Sequence, residues 1–322
     1  MAPKFAGLLA ALAAIWGGSY LLIKYALEDL SAPVIVWARV AVAGAVLLAV
    51  LLVRGGAGDV ARELRRRPGP ATLLGVLAIA LPFMLITLGE HEVPSGLTAV
   101  LISPAALFVA LLAPWIDVTE RIDRRQTVGL VIGLAGVALV VGVESVSTLG
   151  EFLGALAMLG AALCYALSGF VVKRGFGHLA AIQTSLVSIT VATVLTFPFA
   201  LATLPSGAPG LRASLSVVAL GAVGTALAFV IFYTLINGVG AGKASLVSYL
   251  APGVALFYGA LLLDEAITVA AVAGLVLILG GVTLAARRRV GGLPLEECLD
   301  GAALLSVVDD KPGAAVGQRD AA

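Results

Sequence analysis

Arg39 stands inside an apolar run, Val34–Val53, reading VIVWARVAVAGAVLLAVLLV. A guanidinium left against hydrocarbon there costs on the order of 3 kcal/mol or more. It must therefore face a bundle interior or snorkel along Trp37. Helical rise places it about 12 Å below Ser31. Its planar fork could receive a substrate carboxylate on two N–H donors, or it could hold backbone carbonyls of neighbouring helices. Trp16, Tyr20, Tyr165, Tyr233, Tyr249 and Tyr258 also lie in apolar runs. A phenol hydroxyl in lipid needs a partner, which argues against lipid-facing positions. Ser103, Ser168 and Ser248 add hydroxyls. Taken together, Trp16, Tyr20, Ser103, Tyr165, Ser168, Tyr233, Ser248 and Tyr249 can build an uncharged, weakly polar surface for a small amphipathic solute, with Arg39 beside it as the one charged binding candidate.

Pro104 and Pro252 are the candidate hinges. A proline inside a helix removes one N–H donor and crowds the carbonyl four residues back. Those carbonyls belong to Val100 and Ser248. In lipid such a carbonyl is tolerated only against protein or a water-filled cavity.

Other chemistries find no support. Glu90, His91 and Glu92 fall at a turn and read as a wetted surface. Asp264 and Glu265 fall at a helix end and read as a local cap or pair. No buried carboxylate nominates itself for proton coupling or for a cationic substrate. No glycine-rich loop precedes a Lys-Ser/Thr pair, so nothing binds ATP and no ATPase subunit is implied. The cysteines, Cys164 and Cys298, form no metal or disulfide pattern. His91 and His178 lie near opposite aqueous faces, which defeats a hydrolase triad. The expectation is no cofactor, no metal and no enzyme.

These residues need a lipid-embedded scaffold. The chain has 322 residues, 61% hydrophobic and 12% charged, with a net charge of +1. A soluble fold is nearer half apolar and a quarter charged. The small net charge, spread over loops, gives no nucleic-acid partner. Ten runs approach the ~20 residues that span a bilayer as a helix. They cover 5–27, 31–53, 71–90, 94–116, 127–144, 152–173, 181–204, 213–237, 242–263 and 266–286. Arginine and lysine gather on alternate loops, from Lys4 through Arg54–Arg67 to Arg287–Arg289. Only Lys24 and Arg212 fall on the other side, so both termini should be cytoplasmic. Gly129, Gly133 and Gly136, with Gly274, Gly280 and Gly281, should let two spans approach closely.

The chain also repeats itself. LTAVLISPAALFVALLAPWID, from Leu97, aligns without a gap on SLVSYLAPGVALFYGALLLDE, from Ser245. Trp16-Gly17-Gly18-Ser19-Tyr20 with Lys24 aligns on Tyr165-Ala166-Leu167-Ser168-Gly169 with Lys173. GLVIGLAGVAL, from Gly129, aligns on GLVLILGGVTL, from Gly274. Five spans per unit is odd, so the second unit enters the membrane from the opposite face. Such inverted repeats recur in secondary transporters, with the substrate near the midplane between the halves. The fold expectation is all-α, a polytopic membrane protein of ten transmembrane helices. Residues 1–146 and 147–289 are the repeats, and 290–322 is a disordered cytoplasmic tail.

The Trp-Gly-Gly-Ser start, Pro33 and Arg39 in span two, the prolines of spans four and nine, the acid after span nine and the glycine-rich spans five and ten resemble the drug/metabolite transporter superfamily. The similarity is to its ten-helix EamA-type group and covers about residues 3–290. It implies an exporter of small metabolites in the bacterial inner membrane, with small-molecule and lipid partners; a monomer is the expectation, and nothing in the sequence fixes the oligomeric state. Neutral amino acids are the first expectation, compared with lipophilic drugs or polyamines. Compared with exporters of aromatic amino acids in that family, Leu101 and Ser103 make the stretch before Pro104 less aromatic. A receptor or scaffold would need a larger extramembrane domain than the 55–70 loop.

Overall fold

A computed structural model describes residues 3–116, 124–144, 148–239, 244 and 246–286, without the side chains of 114–116, 143–144, 233, 236–237 and 286. The tail from 287 onward lies outside the described residues, as do Arg121 and Lys243. All regular structure among the described residues is helical.

The helices follow the apolar runs. They are α1 (Pro3–Leu27), α2 (Ala32–Arg54), α3 (Ala57–Arg66), α4 (Pro68–Gly75), α5 (Leu81–Gly89), α6 (Ser95–Ile102), α7 (Ala105–Ile116) and α8 (Arg124–Glu144). The second half holds α9 (Leu149–Gly175), α10 (Ala181–Ala202), α11 (Leu211–Gly221), α12 (Ala228–Val239), α13 (Val247–Leu262) and α14 (Val269–Ala286). Among the described residues, eight stretches are long and apolar enough to cross a membrane, and α13 and α14 are shorter apolar helices. Val53, Val194, Phe199, Leu211, Val269 and Val276 are each more than 60% exposed. Only a hydrocarbon solvent makes so much outward apolar surface stable.

Two spans contain a wide π-helical turn. Val76–Ala80 joins α4 to α5, and Ala222–Leu227 joins α11 to α12. The first precedes Pro82, whose missing N–H cannot continue an α-helical ladder. The 55–70 stretch, read above as a loop, contains the short helix α3. Its Asp59–Arg62 pair and the burial of Val60 and Glu63 give it one wet and one packed face.

Helix contacts come in matched sets. α8 packs along α14, and α2 along α10. α1 packs on α13, while α6 and α7 pack on α9. α5 packs on α9, while α11 and α12 pack on α1. The α8–α14 seam is the closest in kind to a backbone contact. A Cβ on Gly136 would come 2.8 Å from the Gly274 carbonyl oxygen, and one on Gly129 would come 2.7 Å from that of Gly281. Gly133 faces the Leu107 side chain. Gly280 departs from the expectation, because nothing lies within 4 Å of its Cβ position.

Candidate functional site

Four side chains, three from spans and one from a turn, come near one another in the interior. Tyr20 comes from α1, Arg39 from α2, Tyr165 from α9, and Glu90 from the turn that closes α5. All lie within electrostatic reach of Arg39. Arg39 faces the interior, as the cost of lipid exposure requires. It is 9% exposed.

The structure assigns Arg39 its contacts. Its Nε donates to Thr225 Oγ1 at 2.9 Å, and its guanidinium carbon lies 4.0 Å from the centre of the Phe83 ring. Thr225 Oγ1 in turn donates to the Leu220 carbonyl oxygen at 2.9 Å, inside the second π-helical turn. A π turn leaves carbonyls off the regular ladder, and a threonine hydroxyl can serve one while accepting from a cation. Arg39 therefore ties α2 to both π-turn spans. It does so through a side-chain hydroxyl and a ring, not through the backbone carbonyls anticipated from sequence.

The other candidates divide. Tyr249 is half-buried against the same core cluster as Tyr20 and Tyr165. Trp16 sits apart from it. Its ring lies 5.3 Å from that of Phe232, in a separate cluster with Leu9, Leu12 and Leu235. Ser103 and Ser168 spend their hydroxyls within their own helices, on the carbonyls of Val100 at 2.6 Å and Tyr165 at 2.8 Å. Ser248 is exposed. The Tyr233 side chain lies outside the described residues.

The prolines also divide. The fourth span breaks at Ser103-Pro104, between α6 and α7. The Val100 carbonyl orphaned by Pro104 receives the Ser103 hydroxyl and, at 3.2 Å, its N–H. Pro252 lies inside α13, which runs on without interruption. The fourth span is thus interrupted at its proline, whereas the helix is continuous through Pro252.

Two carboxylates were misplaced by sequence reasoning. Glu265 does not cap locally. It accepts hydrogen bonds from the Ser95 N–H at 2.7 Å, the Ser95 hydroxyl at 3.0 Å and the Gly96 N–H at 3.0 Å. A carboxylate at the amino end of α6 meets unsatisfied N–H groups and a positive dipole end. Glu90 is not a wetted turn residue. It is fully buried, and both its carboxylate oxygens lack a hydrogen-bond partner. Lys24 Nζ donates to the Glu90 backbone carbonyl. The turn is drawn inward because Gly89 lies against Gly154 of α9, where a Cβ would come 3.0 Å from the Gly154 carbonyl oxygen. Gly89 before an acidic turn was the available signal.

The two ends of the bundle are fastened differently. At the end holding α3, His178 lies 3.0 Å from Glu63, and Gln183 Nε2 donates to Asp59 at 3.1 Å. At the other end the Ser31 hydroxyl donates to Thr203 Oγ1 at 2.9 Å, and the Gly210 N–H to Asp29 at 2.8 Å. No group of histidine, cysteine and carboxylate side chains suited to a metal occurs among the described residues.

Comparison with known proteins gives the arrangement a context. The model of the EamA-like transporter family matches residues 4–142 and again 152–287. The chain is 27% identical over 272 residues to the transporter YoaV of Bacillus subtilis, covering 83% of this chain and 91% of that protein. It is 29% identical over 259 residues to the inner membrane transporter YedA of Escherichia coli, covering 80% and 82%. It is 25% identical over 279 residues to a probable terminal-alkyne amino-acid exporter of Streptantibioticus cattleyicolor, covering 86% and 91%. A solved protein crystal structure superposes with a TM-score of 0.63 at 21% identity, covering 90% of this chain and 100% of the other, which supports the fold.

Proposed function

The chain belongs to the EamA-like transporter family and is a multi-pass membrane transporter, not an enzyme, and from that premise we propose that it exports small amphipathic metabolites, neutral amino acids first, by alternating access. One observation carries this reading. The interior group draws on both family-matched segments, with Tyr20 and Arg39 from 4–142 and Tyr165 and Thr225 from 152–287. A site built between two units is reached from either side when the units rock against each other. Arg39 offers charge to a carboxylate, and Tyr20 and Tyr165 offer hydroxyls and ring faces. The likeness to an amino-acid exporter supports the same solute class.

The same reading takes the two segments as oppositely inserted units, 1–146 and 147–289. The matched helix contacts and the paired π-turn spans support it. It places the chain in a bacterial inner membrane with the α3 end cytoplasmic, because Arg62, Arg65, Arg66 and Arg67 gather there. Cysteine labelling at Gly58 and Gly207 in intact cells tests the orientation. Labelling of Gly58 rather than Gly207 by an impermeant reagent overturns it.

Counterflow in proteoliposomes against a panel of amino acids tests the solute. Preferential exchange of neutral amino acids is expected, and flat exchange across the panel overturns the assignment. A second reading, export of cationic solutes such as polyamines, is favoured by Glu90, the buried carboxylate that the sequence did not nominate. A polyamine in the same panel separates the two.

A further inference from the structure

The turn that closes α5 holds a carboxyl group that neutral amino-acid export does not use. Among the described residues, the two Glu90 oxygens are the buried side-chain polar atoms left without a hydrogen-bond partner. Removing a carboxylate from water and from donors is very costly, whereas its neutral acid is tolerated. A proton is also the one ligand this group can take where it lies. With no exposed surface, it cannot receive a solute or a hydrated ion unless the surrounding helices move.

The charged and titratable surroundings are few. Lys24 and Tyr20 approach from α1, Arg39 from α2 and Glu265 from the turn after α13. From α9, Tyr165 lies within reach of Arg39 and Tyr20, and Glu151 is engaged by the Thr148 cap at the first turn. His91 and Glu92 continue the turn itself and are exposed. Arg39 is held by Thr225 and Phe83. Glu265 is held by Ser95 and Gly96. Lys24 is the neighbouring cation free of such anchoring to a side chain, for its ammonium rests on the Glu90 carbonyl oxygen and not on the carboxyl group.

We propose that Glu90 is a proton-binding site and that Lys24 is its exchangeable counter-ion. In the state described, the carboxyl holds the proton and Lys24 occupies the carbonyl of the same residue. When the carboxyl O–H bond breaks, the proton leaves to water and the Lys24 ammonium turns from the carbonyl to the new carboxylate. Reprotonation sends it back. The site loses one positive charge per proton released, and no further reactant is required. Exposed His91 and Glu92 stand next in the chain and give the proton a short way out.

Infrared difference spectroscopy on the full-length protein in lipid nanodiscs, titrated with acid and base, reads the carboxyl directly. It requires no solute, so its result is separate from the amino-acid assignment. The expected result is a protonated-carboxyl band that persists at neutral pH and is lost in Glu90→Gln. Lys24→Met should shift the midpoint of that band to more alkaline pH by about tenfold in proton concentration or more, since an anion deprived of its counter-ion holds its proton longer. Absence of the band in the unsubstituted protein near neutral pH overturns the proton site. So does a band that survives Glu90→Gln. An unmoved midpoint in Lys24→Met overturns the counter-ion role. Should Glu90→Gln fail to fold, isotope labelling of glutamate carboxyls together with the Lys24→Met shift decides the assignment.

Discussion

The Glu265 carboxylate closes onto the backbone N–H and the hydroxyl of Ser95, 170 positions earlier in the chain. This contact joins the end of α13 to the beginning of α6. Asp264 makes the reversal possible with a left-handed backbone, φ 53°. Gly259 leaves the space, since a Cβ there would fall on the Glu265 carboxylate. One acid therefore locks one end of the bundle by capping a helix from the other family-matched segment.

Glu265→Ala should destabilise the protein by about 1–3 kcal/mol, the usual cost of deleting a charge-assisted hydrogen-bond acceptor and leaving its donors unpaired. Glu265→Gln should cost less, because an amide oxygen still accepts from Ser95. Thermal unfolding of the purified protein in detergent measures both. Equal losses would mean that a neutral acceptor cannot replace the carboxylate, and an unchanged Glu265→Gln would mean that the charge contributes nothing.

Arg39→Lys should impair transport although it keeps the charge. An ammonium cannot reproduce the Nε–Thr225 bond and the flat contact with Phe83 together. The expected loss is about 1.5–3 kcal/mol of interaction, equivalent to roughly tenfold or more in rate. Thr225→Val, which removes the same bond while sparing the guanidinium, should give a smaller loss. Counterflow rates at matched protein amounts settle the order.

Gly136→Leu should prevent normal assembly of α8 against α14. The added side chain meets the Gly274 backbone, and overpacking of this kind costs about 1–3 kcal/mol or more. Gly280→Ala should stay within about 0.5 kcal/mol of the parent, as expected for a surface position. Size-exclusion profiles and melting temperatures compare the two. A harmless Gly136→Leu would contradict the close seam.

Pro104→Ala should change transport more than Pro252→Ala, because the helix is interrupted at the first proline and continuous through the second. Ser103→Ala should cost about 1 kcal/mol by removing the hydroxyl that serves the Val100 carbonyl. Transport rates and melting temperatures for the three variants decide the point.

An imposed pH gradient should accelerate net leucine flux in proteoliposomes, because proton uptake and release at Glu90 are then driven in one direction. In Glu90→Gln the ratio of rates with and without the gradient should fall to about one. A variant that keeps the full ratio would exclude Glu90 from coupling. The sign follows from burial: the neutral acid is favoured in the interior, so alkaline pH drives release of the proton.

Composition and run length were enough to read the lipid environment and the ten apolar spans, because hydrocarbon demands a helix of fixed minimum length with few charges. The repeated segments at Leu97 and Ser245, and the glycine rows of α8 and α14, were legible for a similar reason: each is a local pattern. Arg39 could be sent to the interior because every lipid-facing position is costly. Its partner could not be named, since Thr225 lies 186 positions away and acts through a π turn that no spacing rule announced. Glu90, Glu265 and Trp16 show the same boundary. A turn looks wet until Gly89 packs on Gly154, a helix-end acid looks local until Ser95 arrives, and an aromatic looks central until Phe232 takes its ring. Burial and long-range partnership depend on which helix lies alongside, and that choice is made only when the whole bundle packs.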